Sequence, residues 1–211
     1  MKRLLGLSKI WFSVFFAVVC VLGVLGVKFS LLALAKDPGD KAALKSRGNP
    51  QAGLYIIEYI DFQCPACARG AKVLDEYFRK YPQRMFLEAR YFPLPMHRHG
   101  LASAHYVQCA AEQGKFWPFY EALLRRQNDW SNLTNARPLF REIARGLGID
   151  LGIMDKCLEG EGARQAVDKD QERGKSLGIK STPTYFINGT MIVGKKELER
   201  KLSGYFSGKI E

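Results

Sequence analysis

The chain has 211 residues, 47% of them hydrophobic and 25% charged, with a formal net charge of +11. That apolar content excludes a disordered chain and suffices for one domain with a real core plus an appendage. The charge does not describe a nucleic-acid binder: Lys2, Arg3, Lys9 and Lys28 belong to an acid-free N-terminal segment, and elsewhere acids interleave with bases, as in KKELERK (Lys195–Lys201), the pattern of a solvated helix face.

At the N-terminus, Lys2, Arg3 and Lys9 precede IWFSVFFAVVCVLGVLGV (Ile10–Val27), uncharged throughout. As a helix it spans about 27 Å, near the thickness of a bilayer's hydrocarbon core. The flanking positive charges hold the N-terminus in the cytoplasm and place the rest of the chain outside it. Residues 10–27 are expected to remain as a membrane anchor. Removal after the Ala33-Leu34-Ala35 pattern, as for a signal peptide, is the alternative. Cys20 within this segment reads as a small apolar residue. The other four cysteines, Cys64, Cys67, Cys109 and Cys157, are then exported, and an even number in an oxidising compartment suits two disulfides.

Residues 36–52, KDPGDKAALKSRGNPQA, are polar with Gly and Pro and are expected to be a linker. GLYIIEYIDF follows, apolar on both faces, the pattern of a central buried strand. A helix is predicted over Pro65–Lys80, with proline in its first turn and an apolar side from Ala68 to Phe78. MFLEARYF (Met85–Phe92) reads as a second strand, stopped by Pro-Leu-Pro. From about Gly100 to Gly178 the pattern is helical, and Phe116, Trp117, Phe119, Tyr120, Leu123 and Leu124 are expected in its core. Two short strands around Asn188-Gly189 predict a hairpin, and an amphipathic helix over Lys195–Phe206 closes the chain.

EYIDFQCPACARG (Glu58–Gly70) carries the chemistry. Two cysteines separated by two residues suit a redox couple, half of a metal site or a structural staple. The strand-to-helix context puts Cys64 at the helix N-terminus, where free N–H groups and the macrodipole stabilise a thiolate, with Cys67 one turn further in. This separates an exposed sulfur for a mixed disulfide from a less exposed one that resolves it. Some 120 residues on, Thr182-Pro183 opens the hairpin. Spacing alone leaves its isomer open, most X-Pro bonds being trans.

The run IIEYIDFQCPAC, YFPLPMHRH, CAAEQGKFWPFYEALL and GIKSTPTYFING, in this order, resembles the extracytoplasmic thiol:disulfide oxidoreductases of the DsbA type. The resemblance covers roughly residues 50–206. It implies an α/β thioredoxin fold with a helical insertion: residues 53–96 and 179–211 forming the thioredoxin-like domain, 97–178 the insertion, after the segments 1–35 and 36–52. It implies that Cys64 is the nucleophile and Cys67 its partner. Pro183 would be a cis-proline beside Cys64, and Thr182 would offer its backbone to an extended substrate, next to Pro65 and Ala66. Glu58, six residues before Cys64, would accept the Cys67 proton; an acid at an exposed strand edge is the competing reading. Two departures bear on direction. Ala66 stands where the most oxidising members carry histidine, and Thr182 also occurs in isomerases and reductases of this fold.

Cys109 and Cys157 are expected to form a structural disulfide, and His97 and His99 lie in a loop that could approach the cysteines. The resulting expectation is an enzyme that introduces disulfides into cysteine-containing exported proteins, with a membrane redox partner and no cofactor or metal. A reductase or isomerase of the same fold is the alternative within the class. From other classes come a metal-delivery protein using Cys64, Cys67 and a histidine such as His97, for which a second closely spaced ligand pair is missing, and a peptide-binding adaptor.

Overall fold

The computed structural model describes residues 44–208. The expected anchor, residues 10–27, and the Ala33-Leu34-Ala35 pattern lie outside the described residues. Among the described residues no helix is long and apolar enough to cross a membrane.

A strand β1 (Ser46–Gly48) is followed by β2 (Leu54–Ile60), helix α1 (Pro65–Lys80) and β3 (Met85–Tyr91). Six helices come next: α2 (Gly100–Glu112), α3 (Phe116–Arg125), the single turn α4 (Gln127–Trp130), α5 (Arg137–Gly146), α6 (Leu151–Glu159) and α7 (Glu161–Ser176). The hairpin β4 (Thr184–Ile187) and β5 (Thr190–Val193) leads into α8 (Gly194–Phe206). The sheet order is β1-β3-β2-β4-β5, with β2 parallel to β3 and the other pairs antiparallel. This is a mixed thioredoxin-like sheet with the helices α2–α7 inserted between β3 and β4.

β2 is central because it can be buried on both faces: Leu54, Ile56, Glu58, Tyr59 and Ile60 are all buried. α1 and α8 cover one side, with Val73, Leu74, Leu198 and Leu202 joining Leu54, Ile56, Met85 and Leu87 in one apolar cluster. Asn188 and Gly189 both take positive φ, 47° and 84°, as a tight hairpin turn requires. Asn188 is also fixed from outside the turn, its Oδ1 accepting from Tyr55 N at 2.8 Å.

The second cluster joins the helices to the cysteines: Phe62, Cys64 and Cys67 share it with Phe116, Phe119, Tyr120, Trp130 and Phe140. α7 returns to the sheet. Its buried Asp170 accepts from Tyr91 N at 3.0 Å, pairs with Arg90 at 3.0 Å, and meets Lys45 at 2.5 Å.

The chain joins the fold earlier than the linker expected through Ala52. Ser46–Gly48 pair with Phe86–Glu88 of β3, and Lys45 is 3% exposed. Hydropathy misses this strand because polar contacts hold it. Arg47 lies over the Phe78 and Trp117 rings at 4.6 and 4.4 Å and pairs with Glu121 at 2.9 Å. Trp117 Nε1 donates to Ser46 O at 2.9 Å.

Cys109 of α2 and Cys157 of α6 are bonded, with Cα atoms 5.7 Å apart and a sequence separation of 48. Closing a loop of that length is worth about 4 kcal/mol by chain entropy alone, at the upper end of the usual range. The double variant Cys109→Ala/Cys157→Ala is expected to lose about 2 to 4 kcal/mol of stability in urea unfolding. Unchanged stability would remove the structural role.

Candidate active site

β2 and the four residues after it build the site from below. Asp61 Oδ1 accepts from Gln63 N at 2.8 Å, an Asx turn that reverses the chain before the helix. Its other oxygen accepts from Leu94 N at 2.7 Å and meets His97 Nδ1 at 2.7 Å. Gln127 Nε2 donates to Phe62 O and Cys64 O at 2.7 and 3.0 Å, so the helical block holds the turn from the far side. Cys64 then stands as the N-cap residue of α1, with Pro65 in the first turn. Both cysteines are thiols, Cys64 7% exposed and Cys67 fully buried. Cys64 Sγ lies 3.4 Å from the carbonyl oxygen of Thr182, whose bond to Pro183 is cis. Beside them Pro65 is exposed and Ala66 half-buried, while Thr182 and Pro183 are buried.

The site thus sets a CxxC at a helix N-terminus against a cis-proline at the start of an antiparallel strand, and the thioredoxin profile matches residues 43–203. The chain belongs to the thioredoxin family. Its solved neighbours include proteins of the DsbA type. α-DsbA1 of Wolbachia pipientis is 25% identical with a TM-score of 0.67, covering 80% of this chain and 89% of that one. For BdbD of Bacillus subtilis, in its oxidised form, the values are 21%, 0.62, 76% and 93%, a likeness of fold. Among curated relatives, a protein named Na+/H+ antiporter NhaA 1 from Mycolicibacterium gilvum is 31% identical over 146 residues, 68% of this chain and 23% of that protein. The chain thus spans about a quarter of the length of the curated relatives it matches.

In this thioredoxin-family site the two sulfurs are electrostatically unequal. The Cys64 thiol is held at about 5, well below the usual thiol value. The main cause is a hydrogen bond from Cys67; burial opposes it, and the Thr182 side chain and the N–H groups of Cys67 and Ala66 add to it. Cys67 is pushed well up, first by burial, then by its bond to Cys64 and the negative charges of Cys64 and Glu58.

Glu58 is fully buried in the central strand, which removes the edge reading. Burial raises its carboxyl to about 7, against the opposing pull of the Tyr120 and Tyr185 hydroxyls and the Arg47 charge. Tyr120 OH donates to Glu58 Oε2 at 2.7 Å, while Oε1 has no hydrogen-bond partner among the described residues. Tyr185 is the direct cross-strand partner of Glu58. Among the described residues its hydroxyl makes no hydrogen bond of standard geometry, although it faces the carboxylate. It also presses on Gly70 of α1, where a Cβ would sit 2.1 Å away, so only glycine fits.

The loop histidines hold the site's rim. His97 meets Asp61, and His99 Nε2 donates to Leu133 O at 2.7 Å. Neither is among the principal groups acting on Cys64. Among the described residues no three His, Cys, Asp or Glu side chains are grouped to hold a metal. Sequence reasoning missed Asp61, Gln127, Tyr120 and Tyr185 as site residues. Of these only Asp61 had a local signal, the Asx turn just before the CxxC.

Alkylation of the reduced protein is expected to proceed at Cys64 with a half-point near pH 5, Cys67 staying unreactive until unfolding; a half-point at an ordinary thiol value contradicts the site's electrostatics. The depressed Cys64 value also ties stability to pH. An unfolded thiol titrates near about 8.5, so the stabilisation of the reduced form is complete above that, shrinks as pH falls, and is gone below about 5. Glu58 acts with the opposite sign, its contribution being complete below about 4.3 and lost as pH rises through about 7. Since the disulfide form has no Cys64 titration, the reduced-minus-oxidised difference in urea midpoint is expected to widen from pH 5 to pH 8.5. A constant difference would contradict it.

Proposed function

We propose that this chain is an extracytoplasmic thiol:disulfide oxidoreductase that introduces disulfides into exported proteins through Cys64 and Cys67. The observation that carries this reading is the inequality of the two sulfurs, Cys64 slightly exposed at the helix N-terminus with a stabilised thiolate and Cys67 fully buried and protonated. Stabilising the Cys64 thiolate favours the dithiol over the disulfide, which makes the disulfide form an oxidant. A substrate thiolate attacks Cys64 Sγ, the Cys64–Cys67 bond breaks, and Cys67 leaves with a proton from Glu58. A second substrate thiolate then attacks the substrate sulfur of the mixed disulfide and expels Cys64 as a thiolate. The substrate loses two electrons and gains a disulfide; the electrons stay on the two cysteines, so no cofactor is needed.

Thr182 and Pro183 at the edge of the cysteine pair, with Pro65 and Ala66 opposite, are the surface against which an extended substrate segment lies. Reoxidation falls to a membrane redox partner. The apolar segment 10–27 supports a tether to the cytoplasmic membrane with the domain outside it, and the naming of curated relatives as Na+/H+ antiporters supports a module that works at a membrane. Residues 53–96 and 179–211 carry the exchange chemistry, with 97–178 buttressing it.

Ala66 and Thr182 favour a milder oxidant than the strongest of this type, and the reductase or isomerase direction is the second reading. Equilibration with glutathione separates them. The expected potential lies tens of millivolts below about −120 mV, whereas a value near about −270 mV, that of thioredoxin, overturns the oxidase direction. Cys64→Ser is expected to abolish exchange; retained function in cells would point to binding alone.

A further inference from the structure

We infer that the cleft between α1 and α3, to the side of the Cys64 surface, is the passage by which the proton passed between Glu58 and Cys67 exchanges with solvent, with Tyr120 as its inner gate. The inference rests on the exchange reading above and adds the route that reading lacks. In each cycle Glu58 gives one proton to the departing Cys67 sulfur and must regain one from water. Glu58 and Cys67 are both fully buried. While Cys64 is bonded to a substrate, that substrate covers the front of the site, so the proton needs another way in.

Among the described residues the groups that act on Glu58 include Cys67 on α1, Tyr120 on α3, Tyr185 on β4 and Arg47 on β1. Tyr185 leads nowhere, because its hydroxyl is closed against Gly70. Arg47 also lines the cavity, paired there with Glu121 and lying over the rings of Phe78 and Trp117, but it acts on Glu58 through its charge and makes no hydrogen bond to the carboxyl among the described residues. Tyr120 alone both hydrogen-bonds Glu58 and walls a cavity of about 240 Å³. Ala68 and Ala71 of α1 line that cavity and leave it open by being small, and the exposed Lys72 and Arg125 stand at its polar rim. A space of this size holds several waters. The neutral Tyr120 hydroxyl passes its proton to Glu58 Oε2 and takes one from cavity water, so no charge is left on the ring. Ala68 and Ala71 are positioning residues here, acting only through the space they leave.

The test uses reduced full-length protein and oxidised glutathione. At pH 5 the Cys64 thiolate attacks one glutathione sulfur, releases glutathione and forms a mixed disulfide, while Cys67 and Glu58 remain protonated. A jump to pH 8 lets Glu58 lose its proton and accept that of Cys67, whose sulfur attacks Cys64 Sγ and releases the second glutathione. Acid quenching and mass measurement follow the loss of the mixed disulfide. In Ala71→Leu, and in Tyr120→Phe, this loss is expected to be slower than in the parent by about tenfold or more, within the range of proton-transfer effects. Without the jump, in protein equilibrated at pH 8 beforehand, Ala71→Leu is expected to match the parent on its first turnover. Ala68→Leu serves as the second plug should Ala71→Leu not fold. Parent-like kinetics after the jump in both a plug variant and Tyr120→Phe overturn the route, as does a plug variant equally slow with and without the jump, which is the mark of a distorted helix. A parent that forms no mixed disulfide sinks the exchange reading itself and the route with it.

Discussion

Everything in the site depends on a strand buried on both faces that passes, within four residues, into the N-terminus of a helix. β2 is in the middle of the sheet because its side chains tolerate no solvent on either side, and α1 starts at Pro65 because the Asp61 turn and the proline leave the chain no extended continuation. One junction therefore sets two opposite environments side by side in the chain. The helix end offers free N–H groups to Cys64, and the strand interior withholds water from Glu58 and Cys67. A thiolate and a protonated acid are the states these two places favour.

The helical block supplies what the sheet lacks. Gln127 grips the carbonyls of the turn, Tyr120 supplies a hydroxyl to Glu58, and the aromatic cluster around Phe116, Trp130 and Phe140 fills the space behind Cys67. The Cys109–Cys157 bond links α2 to α6 within the core of this block, as befits a brace rather than a reacting group.

The parts readable in the sequence were those set by local pattern. The CxxC lies between an apolar run and a helical period, the Asn188-Gly189 turn has its own signature, and α1 starts at a proline. Strand order is different, because it is fixed by pairings between distant segments. The sequence alone left Glu58 between a buried and an edge position until β3 and β4 were seen to flank it. Tyr120 is 62 residues from Glu58 and read as one more core aromatic; its hydroxyl's partner is a fact of packing. β1 escaped notice for a related reason, since its three residues, Ser-Arg-Gly, have no apolar alternation and are held by a guanidinium over two rings.

That short strand also bears on how an edge of the sheet is covered. β3, MFLEARY, is seven residues long and apolar enough to recruit another chain if its outer backbone groups were bare. Ser46–Gly48 cover part of that edge with a polar ribbon, and Gly48, at a φ of 99° and packed against Met85 O, turns the chain so that the ribbon ends there. The folded unit therefore begins before its first long strand, and a polypeptide released from any upstream tether must keep Lys45–Gly48 to leave with a guarded sheet edge.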